Sequence, residues 1–490
     1  MTSVTLKGIE GREITVQTGL FINNEYVTAT NGATLEVENP STATRLATVA
    51  AAQSEDIDRA VQSSEKAFGS WKKVDPTVRR DLLNKLADLI ERDAPIIASL
   101  EALESGMLYR NCLASNIPVA TGNLRYFAGW ADKIDGLSLP IPQGVAYTRR
   151  EPIGVCAAIV PWNTSMIFFW KLSVAIAAGN TLIMKTSEQT PLWGQKVAEL
   201  IKEAGFPPGV INILTGFGNI AGQALSEHPR IRKIAFTGST ATGRKIMQAA
   251  ARTNLKKVTL ELGGKGPTII FDDANFDNAV FWATLGITHS NAQLCLAGSR
   301  IYVQDTIYEK FLVEFSKRSR DAVHGDPLLA DTTKGAVSSK AHLDKILSYV
   351  ERGKADGLRL LHGGNKLSGD GYYVANTAFA DVDQSHAIMR EEIFGPVAGI
   401  APFKTEEEAI EKANDSEYGL NAAVFTNNVN RAMRVSNAIE AGTVTVNSWG
   451  RPNANTPFGG VKQSGFGRDS GHEALESWLV TKTIKYAVLE

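Results

Sequence analysis

The chain has 490 residues and a formal net charge of −1, with 43% hydrophobic and 21% charged side chains. That length implies two or three domains, and the composition is that of an ordinary soluble globular protein. The near-balance of charge gives no electrostatic footing for a nucleic acid or an anionic membrane.

Residues 1–19 alternate polar and apolar side chains around no apolar core, which argues against a secretory signal. They are neither Arg-rich nor amphipathic, which argues against an organelle presequence. From 54 to 106 the pattern is helical. Ser54 is placed to cap a helix with Glu55 and Asp56 in its first turn and Ile57, Val61, Phe68 and Trp71 on one face. Leu82, Leu83, Leu86, Leu89 and Ile90 form the stripe of a second helix. Residues 135–150 read as extended strand, as do 479–489 at the other end. Neither segment belongs clearly to a lobe, and such pieces often pair between subunits.

After Arg150 the rhythm changes. Strands are predicted at 155–160, 181–185, 210–214, 234–236 and 258–262, with helices at 191–204 and 241–252. The longest apolar stretch, 167–184, is broken by Lys171, Gly179 and Asn180. It reads as a buried helix running into a strand rather than a membrane span. Beyond Cys295 the alternation resumes, with strands at 300–303, 422–426 and 443–447 and helices at 308–322 and 338–354. The expectation is an α/β fold with two Rossmann-like parallel-sheet lobes, chemistry at their junction, and a small β extension suited to oligomerisation.

The three cysteines are far apart, which suits a reducing compartment, the cytosol, and argues against a disulfide framework. No Cys/His cluster has zinc spacing, so no metal is expected. Cys112 and Cys156 lie in helical and apolar strand contexts and read as core packing. Cys295 has Asn291, Gln293 and Ser299 around it, and Glu261 lies 34 residues earlier beside Gly263 and Gly264. A free thiol is only a few per cent ionised at neutral pH, so a cysteine nucleophile needs a base or a lowered pKa. Glu261 is either that base or a solvated loop residue.

Four further segments carry possible chemistry. Gly238-Ser239 joins a strand to a helix and either holds a diphosphate on backbone amides or is a plain connection. Lys185 and Glu188 follow a strand end, where α/β folds bind nucleotides, or they cap a helix entered at Pro191. Glu188 would accept from ribose hydroxyls and repel a 2′-phosphate. Asn163, in Pro161-Trp162-Asn163, is either an oxyanion donor or a turn former. Glu391 and Glu392 could bind a second ribose or be surface charge. The run 457–465 reads as a structural loop.

In this order, Pro-Trp-Asn, Phe-Thr-Gly-Ser, Glu-Leu-Gly-Gly-Lys, the cysteine segment and Glu-Glu-Ile-Phe-Gly-Pro resemble the aldehyde dehydrogenase superfamily over nearly the whole chain. The resemblance implies NAD-dependent oxidation of an aldehyde to its acid, with NADP less favoured because of Glu188. It makes Cys295 the nucleophile, Glu261 the hydrolytic base and Asn163 an oxyanion donor. The cofactor would lie against Trp162, Lys185, Glu188, Gly238, Ser239, Glu392 and Phe394. The substrate would meet Thr164, Phe168, Trp170, His289, Leu294, Arg451 and Phe458. It also implies an NAD-binding domain from 1–128 and 152–261, a catalytic domain over 262–470, and bridging segments at 129–151 and 471–490 in a homodimer or homotetramer.

Some positions depart from the family pattern. Ala292 replaces the usual glycine before Gln293. Thr164 and His289 stand where large aromatics are common. These changes favour a medium-sized apolar, aromatic or oxygenated aldehyde. Arg451 leaves an acidic semialdehyde as the alternative. A CoA-acylating enzyme would not need Glu261, and a non-catalytic binding or structural protein would not need the full set.

Overall fold

The computed structural model describes residues 3–487. Its larger sheet has eight strands, in the order Gly465–Phe466, Lys257–Glu261, Lys233–Thr237, Val155–Ile159, Thr181–Lys185, Ile211–Leu214, Leu20–Ile22 and Glu25–Val27. The five central strands are parallel, and antiparallel strands close both edges. Helices cover both faces, so a central strand such as Val155–Ile159 is apolar throughout rather than alternating. The chain enters this parallel array at Val155–Ile159. It lays Thr181–Lys185 on one side and later Lys233–Thr237 on the other. That reversal opens a crevice at the carboxyl ends of the strands, where open α/β sheets take ligands.

The second sheet has seven strands, in the order Arg359–His362, Thr377–Ala380, Val397–Phe403, Arg300–Gln304, Pro267–Ile270, Asn421–Phe425 and Thr443–Val446. Only its first pair is antiparallel. Residues 262–266 alone separate Lys257–Glu261 of one sheet from Pro267–Ile270 of the other. The glycine-rich segment after Glu261 is therefore the crossing between the lobes.

The two extended segments pair with each other. Leu479–Ala487 runs antiparallel along the whole of Gly144–Pro152, and Ser138–Ile141 flanks it in a separate three-stranded sheet. Residues 488–490 lie outside the described residues.

The expected helices and strands form with shifts of a residue or two at their ends, except that 135–150 is not one extended strand but the hairpin of Ser138–Ile141 and Gly144–Pro152. At the first helix, Ser54–Trp71, the cap is Gln53 and not Ser54. Asp56, fully buried, accepts from the Gln53 backbone N–H at 2.9 Å and closes the turn one residue earlier than the serine suggested. Pro267–Ile270, Thr377–Ala380 and Val397–Phe403 are strands without a counterpart in the sequence reading. The apolar stretch divides into the buried helix Met166–Ala177 and the strand Thr181–Lys185. Among the described residues no helix is long and apolar enough to cross a membrane.

Candidate active site

Three chain segments meet at the crevice. Pro161-Trp162-Asn163 leaves the strand Val155–Ile159, Gly238-Ser239 leaves Lys233–Thr237, and the loop bearing Cys295 comes from the second lobe. Together they line a cavity of about 210 Å³ whose wall includes Trp162, Asn163, Ser239, Cys295, Glu392 and Phe394. Residues scattered over more than 200 positions of sequence thus share one space.

The crossing between the lobes explains why two glycines follow Glu261. A Cβ on Gly263 would stand 2.3 Å from a Glu392 carboxylate oxygen, and one on Gly264 would stand 2.1 Å from the Cys295 carbonyl oxygen. The second meets backbone that cannot yield, and the first would displace the Glu392 carboxylate. Without side chains, the crossing fits between the Cys295 loop and Glu392, which accepts from the Gly264 N–H at 2.8 Å. The run 457–465 is structural, as expected: Ser464 accepts from the Leu262 N–H and donates its hydroxyl to the Gly263 carbonyl at 2.7 Å.

Cys295 is only partly exposed. Burial pushes its thiol up to about 12, and the Glu392 and Glu261 carboxylates push the same way. The backbone N–H groups of Cys295 and Leu296 face the sulfur and act in the opposite sense. The polar neighbours expected around this thiol are turned elsewhere. The Asn291 amide donates to the Gly335 and Ala336 carbonyls, and the Gln293 side chain accepts from the Ser338 N–H at 2.9 Å. Their polarity holds the loop instead of bathing the sulfur. Ser290, Asn291 and Ala292 take positive φ values of 49°, 56° and 51°, so the small residue before Gln293 occupies backbone space that favours glycine.

Asn163 is buried, and its amide nitrogen donates to the Gln293 carbonyl at 2.8 Å. One of its two protons fixes it beside the Cys295 loop, and the other has no partner among the described residues. Glu261 is also buried, with one carboxylate oxygen lacking any partner. Its pKa is raised well above the ordinary value by burial, with Asp469 adding to the rise and Lys171 and Arg468 opposing it. Lys171 and Asp469 form a buried ion pair of 2.5 Å. The sequence reading missed both residues as parts of the site. The signal was there for Lys171, a lone charge in the otherwise apolar helix Met166–Ala177.

On the other side of the crevice, the Lys185 ammonium lies 3.4 Å from Glu188, whose side chain is 38% exposed and free to meet a ligand. Ser239 caps the helix Thr240–Arg252, accepting from the Thr242 N–H at 3.3 Å. A second cavity of about 490 Å³ opens beyond this turn, between Thr242, Ile246 and Ala249 on one helix and Gly222, Gln223 and Ser226 on the facing segment. Trp162, His342 and Phe394 form an edge-to-face cluster at the mouth of the first cavity. Burial holds His342 at about 4, so it is neutral and donates to the Phe394 carbonyl at 2.7 Å. Lys345, one turn further on, donates to the Glu392 carbonyl at 3.1 Å. Neither was foreseen from sequence.

The residues expected to meet substrate do not line the cavity at Cys295. Thr164 and Leu294 are buried beside it in sequence, while Ile167 supplies the wall from that helix. Phe168 is fully buried against Phe169 and Trp193. Trp170 packs on Phe458 with ring centroids 5.0 Å apart. His289 lies against Trp449 and lines a different cavity. Arg451 is exposed, with its guanidinium 4.9 Å from the Trp282 ring centre. Among the described residues no cluster of His, Cys, Asp or Glu could hold a metal.

Comparison with known proteins agrees with this geometry. Residues 26–484 match the aldehyde dehydrogenase family. An aldehyde dehydrogenase of Alternaria alternata is 49% identical over 99% of this chain and 98% of its own length. Human retinal dehydrogenase 2 is 46% identical over 95% of this chain and 91% of its own. The structure of a Bacillus cereus aldehyde dehydrogenase in complex with NAD+ superposes with a TM-score of 0.95 at 43% identity, covering 96% of this chain and 97% of that one. With a family match over nearly the whole chain and relatives at such identity and coverage, the chain belongs to the aldehyde dehydrogenase family.

Proposed function

We propose that this chain oxidises a medium-sized apolar, aromatic or oxygenated aldehyde to its carboxylic acid, using NAD and a covalent intermediate on Cys295. The observation that carries the reading is the shared cavity, in which the thiol, the Asn163 amide and Glu392 meet the Ser239 helix start.

The crevice suits a dinucleotide. Ser239 and the first-turn N–H groups of Thr240–Arg252 offer a diphosphate site, and the cavity beyond them has apolar walls for a base. Lys185 and Glu188 would hold one ribose, and Glu392 with Phe394 the other, beside Trp162 and Gly238. Glu188 sets negative charge where a 2′-phosphate would lie and so favours NAD over NADP. Bound there, NAD supplies the acceptor for the hydride that leaves the aldehyde carbon.

The chain's own groups do the rest. Cys295, its thiol proton given up to water, attacks the carbonyl carbon as the thiolate to give a thiohemiacetal. Its oxyanion takes the second Asn163 N–H and the Cys295 backbone N–H, a pair of fixed donors in a water-poor site. Loss of hydride leaves a thioester on the sulfur. Glu261, a stronger base for being buried, takes a proton from the water that releases the acid. Ile167 and Leu262 beside Cys295 offer the substrate apolar contacts. In the separate sheet of Leu479–Ala487, Gly144–Pro152 and Ser138–Ile141, the outer edge of each flanking strand meets no further strand among the described residues, and these edges would join copies into a homodimer or homotetramer.

The test is NADH formation, followed by absorbance, over a panel of aliphatic, aromatic and acidic aldehydes with NAD and then NADP. Turnover with neutral aldehydes and NAD is expected. Silence from folded protein that binds NAD, or preference for NADP, counts against the reading.

A further inference from the structure

A cavity of about 200 Å³ lies on the far side of the nucleophile loop, away from the crevice, and its wall includes Arg110, Ser290, Asn291, Arg318 and Lys334. Lys334 is 5% exposed, and among the described residues no carboxylate pairs with it. Its ammonium instead donates to the side-chain oxygens of Asn291 and of Asn376, the latter at 2.7 Å. The Asn291 amide spends both its protons on the Gly335 and Ala336 carbonyls, and the Asn376 amide spends one on the Ser319 carbonyl. Two acceptors leave one of the three ammonium protons unassigned. The Ser290 hydroxyl is likewise buried and without a partner. Arg110 brings a further exposed positive charge to the wall, whereas Arg318 is already paired with Asp277 at 3.1 Å, and the lining holds one exposed acid, Asp321.

Burying an ammonium without a counter-charge is costly, and an uncharged side chain of equal length would fill the space more cheaply. The buried groups left without a partner here, the third Lys334 ammonium proton and the Ser290 hydroxyl, can both donate. We propose that this cavity is a binding site for a small oxyanion, a carboxylate or a phosphate, held by Lys334 and Ser290 with Arg110 at the rim. The ligand would bridge the strand-like segment at Lys334 to the left-handed run 290–292, three residues from Cys295. It would thus brace the nucleophile loop from behind.

The experiment is isothermal titration calorimetry of the full chain with inorganic phosphate and, separately, with succinate, in saturating NAD so that the dinucleotide crevice is filled. One site per chain is expected for at least one probe, and whichever binds identifies the anion. Lys334→Met should weaken it roughly tenfold or more, as loss of a charge-assisted hydrogen bond does, and Arg110→Gln by less. No binding of either probe overturns the proposal, as does binding undiminished by Lys334→Met. If that variant does not fold, undiminished binding to Arg110→Gln, an exposed position, overturns it instead.

Discussion

The Glu392 carboxylate, anchored by the Gly264 N–H at 2.8 Å, is the charge that most raises the Cys295 thiol, ahead of Glu261. The Glu392 carboxylate therefore opposes ionisation of the Cys295 thiol. Glu392→Gln keeps an oxygen for Gly264 and removes the charge. The expected result is alkylation of Cys295 by iodoacetamide at lower pH than in the parent protein, whose thiol sits near 12. Cys112 and Cys156 are fully buried and form a silent background. An unmoved alkylation profile would show that Glu392 does not act on the sulfur.

Glu261→Gln tests the hydrolytic step. The substitution keeps the shape and removes the base, so steady turnover should fall by roughly 10²–10⁴-fold, the usual worth of a positioned general base. Acylation does not need water, and one equivalent of NADH should still appear as a burst. Stopped-flow absorbance separates the two. A variant with near-normal steady turnover would remove Glu261 from the role.

Much of this was legible in the sequence, for a physical reason. Strands of a parallel sheet are buried on both faces, so 155–159 announces itself as an unbroken apolar stretch, and 181–185 as an apolar run between Thr181 and Lys185. Val397–Phe403 is equally buried but contains Gly399 and Pro402, which weaken a strand signal. Pro267–Ile270 is only four residues long and begins with proline. Within the site, residues that touch the cavity from a strand end or a glycine turn carried local marks. His342 and Lys345 did not, because their helix reaches the crevice only through tertiary packing. Asp469 meets Lys171 across 298 positions, and no local pattern encodes such a pair.

Asn163 makes a bond to Gln293 that survives in no shorter side chain. Asn163→Ala should lower kcat by about 10²–10³-fold, the measured scale for losing one oxyanion donor, with little change in KM for NAD. It also frees the Gln293 carbonyl, so the loop loses a tie at 2.8 Å. Asn163→Ser, too short to reach either partner, should resemble alanine. Steady-state kinetics on both variants decide this, and a loss confined to KM for NAD would place Asn163 on the cofactor side instead.

The Lys171–Asp469 pair sits against Glu261 with opposite effects, Asp469 raising its pKa and Lys171 lowering it. Removing either partner alone should destabilise the fold by about 3–5 kcal/mol, since a buried charge is left uncompensated. The catalytic signatures should then diverge. Lys171→Met raises the Glu261 pKa further, so the acid limb of the kcat profile moves to higher pH. Asp469→Asn moves it to lower pH. The pairwise replacement Lys171→Met with Asp469→Leu should recover most of the lost stability by removing both charges, because apolar replacements of buried pairs are often neutral or better. Denaturant unfolding and pH–rate profiles on the three variants provide the check. Limbs that move in the same direction for both single variants would show that the pair acts on Glu261 through packing and not through charge.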